Sequence, residues 1–140
     1  MKTDNTIYTI GRINEKANKF LLNKLARIGF WDVAPSHGDV LVALFKHKEL
    51  PMTEIANNIH RDRSTVTTLI NKLIKLGYVL SKKDPQDSRS NIIFLTEKGK
   101  SFEPHFNEIS QSLYEIEYKG ISAEEKEIFQ SVLKKIYDNF

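Results

Sequence analysis

Residues 60–95 read HRDRSTVTTLINKLIKLGYVLSKKDPQDSRSNIIFL. Val66, Leu69, Ile70, Leu73 and Leu76 recur at three- and four-residue steps, which predicts a helix with one apolar stripe. Asp62 is a good N-cap for that helix and Gly77 a natural residue just past its end. YVL and IIFL then read as two short strands, about 78–82 and 91–95, around the loop KKDPQDSRSN. Asp84 and Pro85 shape its turn. A lone hairpin is marginal in water and has to pack against helices.

The face of the helix opposite the stripe holds Arg63, Ser64, Thr65, Thr67, Thr68, Asn71, Lys72 and Lys75. Thr is a mediocre helix former, so STVTT is an odd choice for a face that only meets water. Short hydroxyl side chains let a helix approach a duplex closely. They bond to phosphates or bases, and Thr methyls can touch the thymine methyl. Asn71 has the amide that pairs with adenine, and Lys72 and Lys75 suit phosphates. A short helix is expected upstream, carrying Ile55, Ala56 and Ile59, with Pro51 in its first turn. Together the two make a helix-turn-helix unit, whose second helix enters the major groove. A hairpin directly after it is a wing, with a tip that can reach the neighbouring minor groove. There Arg89 is the expected inserted group, held by a bidentate pair with Asp87, while Lys82 and Lys83 face phosphates. A purely solvated hairpin tip is the alternative reading of the same charges.

Outward from this core, Ile10, Ile13, Ala17, Phe20, Leu21, Leu25 and Ile28 predict an N-terminal helix that Gly29 ends. PSHGD opens a second helix, with Ser36 as N-cap and Asp39 in a capping-box position, and this helix is expected to finish near His47. Thr96 is expected to cap one long helix over about 97–118. Gly120 breaks the pattern, and Ser122 with Glu125 starts a last helix bearing Phe129, Val132, Leu133, Ile136 and Phe140 on one face. The expected fold is mainly α with one small β-hairpin: a winged helix-turn-helix flanked by N- and C-terminal helices, which the family resemblance described below makes dimerisation helices. The 140 residues are expected to form a single domain, with the winged lobe at 34–100 and a helical region at 5–30 and 101–140.

Composition agrees. Hydrophobic residues make up 40% and charged residues 28%, an ordinary globular balance. The net charge is +3, but residues 60–100 hold nine basic and four acidic side chains while residues 101–140 hold four and eight. The positive charge therefore concentrates on the winged segment, as for a polyanion-binding face. There is no cysteine, which excludes disulfides, thiolate zinc sites and a cysteine redox switch. No membrane span is expected, and the first residues lack the pattern of a signal peptide, so a cytoplasmic location is expected.

LPMTEIANNIHRDRSTVTTLINKLIKLGYVLSKKDPQDSRSNIIFLTEKG, residues 50–99, resembles the MarR family of bacterial winged helix-turn-helix regulators. DPQDSR followed by LTEKG is the specific part of the likeness, and the order of flanking helices extends it over nearly the whole chain. The resemblance implies that Ser64, Thr65, Thr67, Thr68 and Asn71 lie at groove-reading positions and that Asp87 and Arg89 form the wing pair. It also implies that Ser36 and His37 lie at a helix start that touches phosphate. His60 and Arg61 depart from the family pattern, which has a small turn residue and an apolar one there.

The resemblance further implies a homodimer through the terminal helices, a pseudo-palindromic double-stranded DNA operator, and a repressor role. A small aromatic or phenolic effector is a further possibility it raises. Phe20, Phe30, Trp31 and Phe106, with Arg12 or Arg27, are candidates to line an effector pocket, although aromatics at such spacing also read as core. No cofactor is expected. A metal-responsive regulator of the same fold is one alternative, although His37, His47, His60 and His105 are scattered. A winged helix used only for protein contacts is another. An enzyme is not expected: no nucleophile elbow, phosphate loop or dinucleotide fingerprint is present, and Ser36, His37 and Asp39 are too close in sequence to form a triad.

Overall fold

The computed structural model describes residues 3–30 and 32–140. The elements run α1 (Thr6–Arg27), α2 (Pro35–His47), β1 (Glu49–Pro51), α3 (Met52–Ile59), α4 (Arg63–Lys75), β2 (Val79–Lys83), β3 (Asn91–Leu95), α5 (Glu97–Lys100), α6 (Glu103–Glu117) and α7 (Ala123–Asp138). The expected hairpin is present, with Val79 opposite Leu95 and Lys83 opposite Asn91. It gains a third strand that has no periodic signal of its own: Glu49–Pro51 pairs antiparallel with β3, giving the order β1-β3-β2. The wing is thereby stitched to the segment between α2 and α3, and a marginal hairpin becomes a small supported sheet.

The helices of the lobe pack by their stripes. Val66, Ile70 and Leu73 of α4 are fully buried and Leu69 nearly so, against Val40, Leu41 and Leu44 of α2 and Ile55 of α3. Two helix ends have the same construction. Gly29 and Gly77 take positive φ, 88° and 85°, past the ends of α1 and α4. In each case the third residue beyond the end bonds back to the last turn, Phe30 N–H to the Leu25 carbonyl and Tyr78 N–H to the Leu73 carbonyl, both at 2.9 Å. This turns Phe30 and Tyr78 inward, to ring centroids 6.1 Å apart. Phe102 joins Tyr78 at 4.7 Å, and Phe106 lies 6.4 Å from Phe30 and 5.7 Å from Phe45. One aromatic cluster thus ties the end of α1, the end of α4 and the start of α6 to the lobe.

Two expected helix starts are corrected. Thr96 does cap a helix, its Oγ1 accepting the Gly99 N–H at 3.1 Å, but that helix is the single turn α5. Pro104 sits at the beginning of α6, and proline inside a continuous helix would remove a backbone donor and clash one turn back, so the chain restarts. The second helix begins at Pro35 rather than after a Ser36 cap. Proline favours the first helical position, which makes Ala34 the cap and brings His37 into the role expected of Asp39. His37 Nδ1 accepts the Ala34 N–H at 3.1 Å. The Ser122–Glu125 capping box forms as expected, with both bonds at 3.0–3.1 Å.

The terminal helices are different in kind. None of the residues of α7 is buried, and Ile128, Phe129, Val132, Leu133, Tyr137 and Phe140 lie exposed. Ile7, Tyr8 and Ile13 of α1 and Tyr114 and Ile116 of α6 add to this uncovered apolar surface. Helices of this length draw most of their stability from packing.

A substitution at Gly99 tests the junction between wing and core. A Cβ there would lie 2.2 Å from the Tyr78 carbonyl oxygen and 3.0 Å from Leu95, so backbone would have to move. Gly99→Ala is expected to destabilise the fold by about 3 kcal/mol. Urea unfolding measures this, and an unchanged midpoint would contradict the packing described.

Candidate nucleic-acid interface

Asp62 builds the start of α4. Its φ and ψ are extended, and its Oδ1 accepts the Thr65 N–H at 2.7 Å and the Ser64 hydroxyl at 3.1 Å. The bonds from Thr65, with that from Ser64 behind them, hold the carboxyl below its ordinary pKa. The turn before it is made by His60, at φ 55° and ψ 47°, a left-handed conformation that most side chains avoid and His tolerates better than most. Arg61 is exposed.

Arg63, Ser64, Thr65, Thr67, Thr68, Asn71, Lys72 and Lys75 are all exposed, so the outward face of α4 is left uncovered by the chain. The hydroxyls are more committed than their exposure implies. Thr67 donates to the Arg63 carbonyl at 2.8 Å and Thr68 to the Ser64 carbonyl at 3.1 Å. Each therefore offers an acceptor oxygen and a methyl group, which fits contact with base donors and thymine methyls better than donation to phosphate. Arg63, Asn71, Lys72 and Lys75 supply the donors.

His37 is 8% exposed, its Nδ1 already used at the start of α2. Burial first, and the positive charge of Lys72 second, hold its imidazole below the usual histidine range. It acts as a helix-start device next to α4, with Ser36 half-buried beside it.

The wing loop is two consecutive turns, closed by Asp87 N–H to the Asp84 carbonyl at 3.3 Å and Ser90 N–H to the Asp87 carbonyl at 2.9 Å. Pro85 takes the second place of the first turn, and Asp84 Oδ1 accepts the Gln86 N–H at 2.9 Å. Arg89 is held at its root: Asp87 Oδ1 accepts its backbone N–H at 3.0 Å and its Nε–H at 3.5 Å. The expected bidentate fork is therefore not made. The carboxylate oxygen that accepts the Arg89 backbone N–H is also the one that faces Nε. The guanidinium end is free instead, with the side chain 92% exposed.

The two wing lysines are placed differently from expectation. Lys83 donates to the Ser88 carbonyl at 3.2 Å and braces the loop. Lys82 pairs with Glu49 of β1 at 2.9 Å and lies 5.4 Å from the Phe94 ring centre. No local pattern shows that pair, because it depends on the third strand.

The candidate aromatics among the described residues are placed differently from expectation. Phe30 and Phe106 are core residues in the cluster described above, Phe20 is half-buried under Lys24, and Trp31 lies outside the described residues. Arg12 pairs with Glu15 at 2.6 Å on the exposed side of α1. Two clefts lie along α2 and α6. One of about 500 Å3 is bounded by Asp39, Val42, Ala43, Lys46, Asn58, Ile59 and Ser110. A smaller one of about 200 Å3 adjoins it along Phe45, Glu103 and Phe106. Among the described residues no group of three His, Cys, Asp or Glu side chains is placed to hold a metal ion. No helix among them is long and apolar enough to cross a membrane.

Comparison with known proteins agrees with this architecture. A family model described as MarR family matches residues 33–90. The HTH-type transcriptional regulator SarZ of Staphylococcus epidermidis is 30% identical over 101 residues, 72% of this chain and 68% of that protein. A MarR protein from Peptoclostridium difficile superposes with a TM-score of 0.87 at 24% identity, over 99% of this chain and 89% of its own. A mutant MarR from E. coli complexed with operator DNA superposes with a TM-score of 0.80 at 22% identity, over 97% and 99%.

The cap of α4 can be tested through pH. The Asp62 carboxyl has a folded pKa below its ordinary value of 3.8. Its contribution is present above that value and is lost as pH falls through the folded pKa. Asp62→Asn, which keeps an accepting oxygen but no charge, is expected to lower the urea midpoint at pH 7. The gap to wild type is expected to close as the pH falls below 3.8. A gap independent of pH would mean that the charge plays no part in the cap.

Proposed function

This chain belongs to the MarR family of helix-turn-helix transcriptional regulators, and from that premise we propose that it binds a pseudo-palindromic double-stranded operator as a homodimer. The observation that carries the reading is the division of α4: a buried stripe on one side, and on the other an uncovered face of short hydroxyl, amide and cationic side chains. In this reading α4 lies in the major groove. Thr65, Thr68 and Asn71 meet base edges there, while Arg63, Lys72 and Lys75 meet phosphates. Ser64 and Thr67 pack closer to the helix start and to Met52. The wing puts the free guanidinium of Arg89 into the adjacent minor groove, with Asp87 setting its direction. Ser36 and His37 bring the start of α2 towards the backbone, chiefly by holding that helix in place. The protein works in the cytoplasm and represses by occupying its operator.

The homodimer reading is supported by the uncovered apolar faces of α1, α6 and α7, which are too extensive for a chain that stays alone. A two-fold axis would set two α4 helices about 34 Å apart, in successive major grooves. The cleft between α2, α3 and α6 has a volume usual for small-ligand sites, and Lys46 on its rim suits an anionic group. A small aromatic or phenolic acid entering there would release the operator.

Selection of bound sequences from random duplex DNA tests the function directly. A palindromic enriched site is expected; no enrichment, or binding insensitive to salt, would favour a protein-contact role instead. On the enriched site, Arg89→Ala is expected to cost about 1–3 kcal/mol in a gel-shift titration. Wild-type affinity would remove Arg89 from the interface. Glu49→Gln frees Lys82 from its ion pair, and the salt dependence is expected to steepen by up to about one counterion. An unchanged slope would leave Lys82 outside the phosphate contacts.

A further inference from the structure

The C-terminal helix touches the reading unit through an aromatic pair. The Tyr137 ring of α7 meets the His60 imidazole edge-on, with centroids 5.8 Å apart and planes at 65°. That separation and tilt fall within the attractive range for aromatic pairs. His60 is the hinge of the helix-turn-helix. It closes α3 in a left-handed conformation, and Arg61 N–H bonds back to the Ala56 carbonyl at 3.2 Å. Two residues after His60, Asp62 caps α4. The angle between α3 and α4 therefore passes through a three-residue joint, and an aromatic ring from a distant helix bears on its first member.

Burial does not account for this contact. His60 is exposed, Tyr137 is 63% exposed, and none of the residues of α7 is buried. Nor does the left-handed turn require an imidazole, since glycine or asparagine adopts it with less strain. What the pairing adds is a mechanical link from α7 to the first turn of α4. We propose that Tyr137 is a positioning residue for nucleic-acid reading. Through His60 it holds the helix-turn-helix joint in the orientation in which α4 is presented, so that the placement of the C-terminal helix sets operator affinity. A joint fixed in advance does not have to be ordered on binding, and that saving favours the bound state. This inference rests on the operator-binding reading of α4.

The test is a double-mutant cycle on the selected operator with the full-length protein, using His60→Asn, Tyr137→Ala and their combination, with Tyr137→Phe as the conservative variant. Oligomeric state is followed by sedimentation at the same concentrations. His60→Asn keeps the turn conformation and leaves the apolar face of α7 intact, so it separates the link from folding and assembly. Each single change is expected to weaken binding roughly threefold to tenfold, with the double no weaker than either. Tyr137→Phe is expected to bind as wild type does. Wild-type affinity in His60→Asn, or losses that multiply in the double variant, would overturn the link. A wild-type protein that selects no operator would instead overturn the reading beneath it.

Discussion

The arrangement depends on one constraint: α4 must be anchored firmly along one side while nothing in the chain covers the other. Val66, Ile70 and Leu73 provide the anchor, packed into α2 and α3, and the Asp62 cap and Gly77 end fix where the helix begins and stops. Burial of each large apolar side chain contributes about 1.5–3 kcal/mol. The exposed residues are in this way presented by a rigid element and not by a loop. A groove-reading surface needs that, because its contacts are short and directional.

The wing is built by the same logic at smaller scale. Thr96 joins it to the end of α4: its N–H bonds to the Tyr78 carbonyl and its hydroxyl to the Gly77 carbonyl, at 3.1 and 2.6 Å, while its Oγ1 also caps α5. Gly99 leaves room for that close approach. β1 supports the far side of the hairpin. The loop tip is ordered by its own turns, so Arg89 projects from a braced base. The aromatic cluster of Phe30, Tyr78, Phe102 and Phe106 then carries the lobe on the helices that lead away from it.

Local patterns made much of this legible. The α4 stripe, its Asp62 cap, the glycine that ends it, both wing strands and the Ser122–Glu125 box all depend on residues a few positions apart, and each is found in the fold. The features that escaped depend on partners far along the chain. Three residues, Glu49–Pro51, are too few to show a strand period, and they form β1 only because β3 arrives beside them. The Lys82–Glu49 pair follows from that strand, and the His60–Tyr137 contact from the return of α7. Phe30 and Phe106 carry the right chemistry to line a pocket, yet the helix ends that deliver them turn them into the core. Pro104 was a local signal, and its meaning is plain once α6 is seen to restart there.

The claim that α4 and the wing tip together form the nucleic-acid surface is open to one direct measurement. Backbone amide resonances of the protein can be followed as the selected duplex is added. The largest shifts are expected at Arg63–Lys72 and at Asp87–Ser90, with smaller ones relayed to the end of α7. Shifts centred on the apolar faces of α1 and α7, with α4 and the wing unmoved, would contradict the account.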